Sequence, residues 1–253
     1  MTTPKQEIHN LFNSKVADLD LRYEFNLFDE SVDQKLWSTK YYFDLLKELD
    51  INTYRIQPSA STTQSTIDPI TTPAFPLDID IYCKDLNRIL DGFFMNSMSV
   101  LDTLAHQIWT LYCFPQKEGQ KRAPDIYIST INKDMLNESH PNSEVKALLD
   151  RRLRQNWFTE FAPFRHCTIH ESFVLPEINP RYDRVNQKWF HPEIPLPDNP
   201  QLRPYKYDRH REANSFCKLI FNEINALVNE IYEAVLQDIR KANNNVLPIP
   251  LSP

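Results

Sequence analysis

Glycine is almost missing: only Gly92 and Gly119 occur in 253 residues. Both common glycine-rich phosphate loops are therefore excluded, since each needs several glycines to let the backbone close on a phosphate. A strand-rich fold is disfavoured too, because tight hairpin turns draw on residues that tolerate positive φ. Cysteine is sparse, and Cys83, Cys113, Cys167 and Cys217 form no C-x-x-C pair. That spacing argues against a zinc ribbon or a disulfide scaffold and for a reducing compartment. No apolar run approaches the ~18 residues of a membrane span. The opening MTTPKQEIHN lacks the apolar stretch of a signal peptide, so the expected location is cytoplasmic. Net positive charge is absent as well: the formal charge is −6. A uniformly basic nucleic-acid coat is excluded, and any such contact must come from a local patch.

What is present is helical periodicity. Ser31 with Gln34 three residues on reads as a capping box, and Leu36, Tyr42 or Phe43, Leu46 and Leu49 continue it as a helix over about 32–49. Residues 51–76, rich in Ser, Thr and Pro, read as a loop or linker. Residues 76–114 carry the strongest pattern. Phe94, Met98, Leu101, Ala105, Ile108 and Tyr112 form one stripe, widened by Phe93, Val100, Leu104 and Leu111. Such a broad apolar surface predicts a central, mostly buried helix. A narrow polar stripe of Asn96, Ser99, Thr103, His106 and Thr110 faces solvent or a cleft. Residues 115–142 read as a connector. Ser143 is an expected N-cap of a further helix, which Pro163 interrupts or restarts. Residues 175–208, dense in proline, predict irregular structure with room for a hairpin. Ala213, Phe216, Ile220, Ile224, Leu227, Ile231, Val235 and Ile239 predict a long last helix over about 209–241. The sum is an all-α helical bundle with long core helices and a proline-rich irregular insertion, in one domain over 1–253.

The stretch FAPFRHCTIHESF, residues 161–173, gathers one arginine, two histidines and a cysteine in an apolar setting. Such groups are costly to bury unless paired, metal-bound or used. With a helix starting at Pro163, Arg165 and His166 would fall in its first turn, where free N–H groups and the helix dipole favour an anion. Four readings stay open on the residues alone. Arg165 could pair with Glu160, Glu171 or another acid, with the histidines as ordinary half-buried residues. His166 and His170, four apart, could hold a metal, with Cys167, Glu171 or His106 as a third ligand. An imidazole could take or give a proton at a ribose hydroxyl or leaving oxygen while the arginine fork holds the phosphate, with no metal or other cofactor. The same groups could bind a nucleotide or RNA without turnover.

Arg165, a polar His166 and then His170 make an R-x4-H pattern in a helical chain, and FFMNSMSVLDTLAHQIW upstream matches a long core helix. Over roughly residues 77–241 this resembles the HEPN superfamily, the higher eukaryote and prokaryote nucleotide-binding domains. The resemblance implies a helical bundle that pairs as a homodimer, with two motif copies meeting at the interface. It implies a metal-independent endoribonuclease, often in defence or toxin systems, with an antitoxin or regulatory protein as a further partner. Other members only bind nucleotides, RNA or proteins. By this carry-over Arg165 and His170 are the catalytic pair, His166 is the polar residue after the arginine and shapes the pocket or shares proton transfer, and Asn96 or Asp102 supplies a supporting polar group. Two further matches in looser spacing, Arg184 to His191 and Arg203 to His210, lie in or beside the proline-rich segment.

Charge is uneven. Residues 1–50 hold six Lys/Arg against ten Asp/Glu, whereas 151–165 and 180–211 each carry a net +3. Arg151, Arg154, Lys206 and Arg209 are therefore the expected RNA contacts. Tyr182, Trp189, Tyr205 and Tyr207, interleaved with the second patch, either stack on bases or pack the segment down.

Overall fold

The computed structural model describes residues 2–16, 19–55, 77–112, 126–170 and 174–242; within these, the side chains at 15, 135, 165, 168–170 and 242 are not described. The chain is mostly α-helical. Its helices are α1 (Pro4–Lys15), α2 (Leu19–Glu48), α3 (Ile79–Leu111), two single turns α4 (Ile128–Thr130) and α5 (Asn137–Ser139) flanking a π-helical turn, α6 (Glu144–Arg152), α7 (Asn156–His170) and α8 (Ala213–Ala242). Two small antiparallel ladders pair β1 (Arg181–Asp183) with β2 (Lys188–Phe190) and β3 (Pro195–Leu196) with β4 (Arg211–Glu212). The chain divides into two compact units, residues 1–39, 96–162 and 219–253 in one and 40–95 and 163–218 in the other.

The expected apolar stripes of α3 and α8 are buried throughout. Elsewhere local boundaries differ. α2 begins at Leu19 rather than near residue 32. Ser31 is not a cap: inside the helix its hydroxyl donates back to Leu27 O at 2.7 Å, the local bond a mid-helix serine makes. Residues 51–54 form a 3-10 turn, with Asp50 accepting from Asn52 N at 2.9 Å; the rest of the Ser/Thr/Pro stretch, 56–76, lies outside the described residues, as do 113–114 of the expected core helix and 115–125 of the connector. Ser143 does cap α6, accepting from Lys146 N at 3.1 Å. Asp238 supports the same helix end, accepting from Glu144 N at 2.8 Å and from the Tyr112 hydroxyl at 2.6 Å. A carboxylate at free N–H groups satisfies donors that no intrahelical carbonyl can reach.

The first unit is organised around a buried acid. Asp29 accepts from Gln107 Nε2 at 2.9 Å and from the Tyr232 hydroxyl at 3.0 Å, so α2, α3 and α8 meet at one carboxylate. Lys5 of α1 reaches it at 3.3 Å and Asp33 at 2.7 Å, and His9 stands 3.7 Å from its other oxygen. Around this network Phe12 packs on Phe25 at 4.4 Å between ring centres, and Phe28 stacks on His106 at 5.2 Å. The polar stripe of α3 is mixed: Thr103 and Thr110 are buried, Asn96, Ser99 and His106 are half-buried, and His106 stacks on Phe28 of α2.

The second unit has an aromatic centre. Phe94 stacks on Phe164 at 4.8 Å, and Phe164 meets Phe216 at 5.2 Å. The buried Arg211 guanidinium lies 4.7 Å above Phe216 and donates to Pro197 O and Asp198 O. Gly92 marks a close approach: a Cβ built there would stand 2.6 Å from Tyr42 Cδ1 and closer to two more ring carbons. Gly92→Ala is expected to lower stability by about 1 kcal/mol. Overpacking of about 1–3 kcal/mol outweighs the ~1 kcal/mol gain in helix propensity. In a Tyr42→Ala background, urea unfolding should show the sign reversed.

Three buried phenols add a pH dependence. Burial pushes Tyr82 up to about 12. Burial, then Asp238, raises Tyr112 beyond the ordinary phenol range, and burial, then Asp29, does the same for Tyr232. Groups raised in the folded state stabilise it fully below their unfolded pKa near 10 and lose that contribution as pH rises toward the folded values. Between about pH 10 and 12 each removes about 1.4 kcal/mol per pH unit, so the three together remove about 4. Urea unfolding followed by circular dichroism should therefore show stability collapsing in that window, and a flat profile from pH 10 to 11 would contradict the burial of these rings.

Candidate functional site

The motif region sits on α7, and Pro163 lies inside this helix instead of starting or breaking it. The expected placement of Arg165 and His166 at a free helix N-terminus is therefore overturned. They lie in the third turn, where backbone N–H groups are spent on the helix itself. Proline at this position leaves Thr159 O without its helical donor, a local penalty of up to about 3 kcal/mol that tertiary packing must offset. That packing is visible: Trp157, Phe161, Phe164 and Cys167 are all buried. They form the inner side of α7, and His166 is exposed on the outer side. Position 170 follows position 166 by one helical turn, and 165 lies about 140° around the axis from 170. The side chains of Arg165 and His170, and Glu171, lie outside the described residues.

The expected RNA contacts divide. Arg151 and Arg154 are exposed, and Arg151 stands 3.9 Å from Glu230. Arg152, counted in the same basic patch, is structural. It is buried and bonds Glu223 at 2.8 Å and Gln155 at 2.9 Å, lies 3.4 Å from Glu230, and stands 5.6 Å from the Trp157 ring. Lys206 and Arg209 are exposed, and Asp198 accepts from Arg209 N at 2.9 Å. Asn96 and Asp102 are half-buried on α3.

The aromatics of the proline-rich segment have packing duties. Tyr182 and Trp189 pair across the β1–β2 hairpin at 5.2 Å. Asn52 accepts from Trp189 N at 2.9 Å and donates to Trp189 O at 2.8 Å, tying the hairpin to the 3-10 turn. Arg203 lies 3.8 Å above the Tyr205 ring, and the Tyr207 hydroxyl donates to Leu175 O at 2.9 Å. Of the two looser motif copies, His191 stacks on Tyr82 and burial lowers its pKa; His210 is exposed at a turn with φ 48°.

Two features escaped sequence reasoning. Burial pushes the Asp91 carboxyl up to about 6, against a hydrogen bond donated by Val174 N at 3.3 Å. Its signal was a lone acid inside the apolar run ILDGFFM. An open cleft of about 480 Å³ is lined by Tyr42, Leu45, Asp50, Tyr54, Asp85 and Arg88 among others, and no predicted site residue lines it. In it the Tyr54 hydroxyl donates to Asp85 at 2.9 Å, and Arg88 bonds the same carboxylate at 3.2 Å. Among the described residues no three His, Cys, Asp or Glu side chains gather as a metal would require; His170, half of the sequence-expected metal pair, is outside that set. Comparison of the chain with protein-family models, with curated proteins and with solved structures finds no match.

Proposed function

We propose that the protein is a metal-independent endoribonuclease of HEPN type, built as a helical bundle that pairs through α7. One observation carries the reading. A single continuous helix bears Arg165, His166 and His170, with its inner side held by Trp157, Phe161, Phe164 and Cys167 and His166 exposed outside. In this proposal His170 exchanges the proton at the ribose 2′-hydroxyl or the leaving oxygen, and Arg165 holds the phosphate. His166 shapes the pocket. Because 165 and 170 diverge around one helix, a second α7 across a two-fold axis supplies the convergence that one copy lacks. The exposed Arg151, Arg154, Lys206 and Arg209 hold the RNA backbone. Attack by the 2′-oxygen expels the 5′-oxygen and leaves a cyclic phosphate.

A second reading, RNA or nucleotide binding without cleavage, is favoured by the uninterrupted course of α7 through Pro163, which removes the helix-end N–H groups from Arg165 and His166. Labelled total RNA incubated with the full chain in EDTA separates the two. Cleavage with cyclic-phosphate ends supports the nuclease, and a gel shift without cleavage supports the binder.

A further inference from the structure

We propose that the open cleft of the second unit binds a small organic cation, an ammonium group carried on an apolar body. The cleft, of about 480 Å³, is lined by the last turns of α2, the 3-10 turn after it and α3. That volume lies in the range of small-molecule sites. Tyr42, Leu45, Leu49 and Ile89, all half-buried, supply an apolar wall. Tyr42 keeps its place because Gly92 of α3 leaves room for its ring.

The polar groups identify the ligand, because the hydroxyl donors of the cleft are engaged while acceptors are open. The Tyr54 hydroxyl, kept protonated by burial and then by Asp85, donates to Asp85 at 2.9 Å. The Thr53 hydroxyl donates to Asp50 O at 2.8 Å. Arg88, the one base in the lining, pairs with Asp85 at 3.2 Å, so these two charges cancel. Asp50 uses a single oxygen: Oδ1 accepts from Asn52 N at 2.9 Å and from Asn52 Nδ2 at 2.8 Å. Those bonds lower its pKa, helped by Arg55 and Lys188 outside the lining, so Asp50 is ionised. Its Oδ2 takes no hydrogen bond among the described residues. Glu48 is exposed and enters no ion pair among the described residues. α2 itself ends at Glu48, so the carbonyls of its last turn lack helical donors and carry the negative end of the helix dipole. Lys47, the base of that turn, is drawn to Asp44 at 2.6 Å. An ammonium brings three donors, no acceptor and the matching charge, and its apolar body covers the wall. A carboxylate ligand would instead set anion against Glu48 and the helix end. None of the residues proposed for RNA cleavage lines this cleft, so the two readings fail separately.

The test is calorimetric titration of the full chain with three ligands that share an indole body: tryptamine, the neutral tryptophol and the anionic indole-3-propionate. Tryptamine should bind with a dissociation constant of about a millimolar or tighter, tryptophol more weakly, and indole-3-propionate not at all. Glu48→Gln removes one charge from an exposed position, so melting should match the unchanged protein. It should weaken tryptamine by about fivefold, between an exposed ion pair and a buried charged hydrogen bond, and leave tryptophol unaltered. Leu45→Ala trims the wall and should weaken tryptamine and tryptophol alike. The proposal is overturned if tryptamine fails to bind, if tryptophol or indole-3-propionate binds as tightly, or if Glu48→Gln binds tryptamine as the unchanged chain does.

Discussion

Labelled RNA incubated with the His170→Ala protein is expected to remain intact, with cleavage down on the order of 10²–10⁴-fold against the unchanged chain. That is the contribution of a positioned proton donor or acceptor to a step that otherwise waits on water. Arg165→Ala should lose on the order of 10²–10³-fold, as removal of a donor aimed at developing phosphate charge does. Arg165→Lys should recover only part of it, because an ammonium restores charge but not the two-pronged grip on phosphate. Circular dichroism and melting should stay near those of the unchanged chain in all three. The pH profile of cleavage should be bell-shaped about neutrality if imidazole exchanges the proton. EDTA should leave the rate unchanged. Persistent cleavage in His170→Ala would dismiss the assignment, and activity lost in EDTA and restored by zinc would move His166 and His170 to a metal site.

The largest expected loss of stability comes from Asp29→Ala, about 3–5 kcal/mol, the usual consequence of breaking a buried charged network from one side. The substitution strands Gln107 Nε2, leaves the Tyr232 hydroxyl only Gln107 Oε1 and Lys5 only Asp33 among its acid partners, and three helices lose their common acceptor. Each buried donor left without a partner costs about 1–3 kcal/mol. Against a total stability of about 5–15 kcal/mol, the variant should be substantially unfolded in mild urea. Asp29→Asn should fall between, because an amide oxygen still accepts from Gln107 and Tyr232 but no longer attracts Lys5. Tyr232→Phe should be milder still, losing one donor and leaving a carboxylate with its other partners. A loss under about 1 kcal/mol for Asp29→Ala would mean that water replaces the network at no penalty, and the burial of Asp29 would then be wrong.

That same residue shows where sequence reading stops. Along α2 the buried positions run Phe25, Asp29, Val32, Thr39, Phe43 and Leu46, an ordinary helical spacing with a carboxylate and a hydroxyl at two core positions. Asp29 at a core position breaks the apolar rhythm of the first half of α2, so local pattern places the helix start at Ser31 instead of Leu19. α8 and α3 had no such interruption, and their periodicity was readable from end to end. Arg152 is the converse case. Its neighbours Arg151 and Arg154 are exposed as a basic patch predicts, but Arg152 turns inward to Glu223 and Glu230, residues some seventy positions away. At Pro163 local rules favoured a helix start, and the buried aromatics of α7 overrode them.

By itself the sequence determined a helical chain: too little glycine for phosphate loops, apolar repeats near 3.6 residues in α3 and α8, and a serine cap on α6. Periodicity is a local property, so it is written in neighbouring residues. Tertiary structure alone decided that Asp29 would be a shared acceptor and that α7 would run through its proline. Each of these depends on which distant side chain meets which, and the energy of a buried charge or an interrupted helix is set by that partner rather than by its neighbours along the chain.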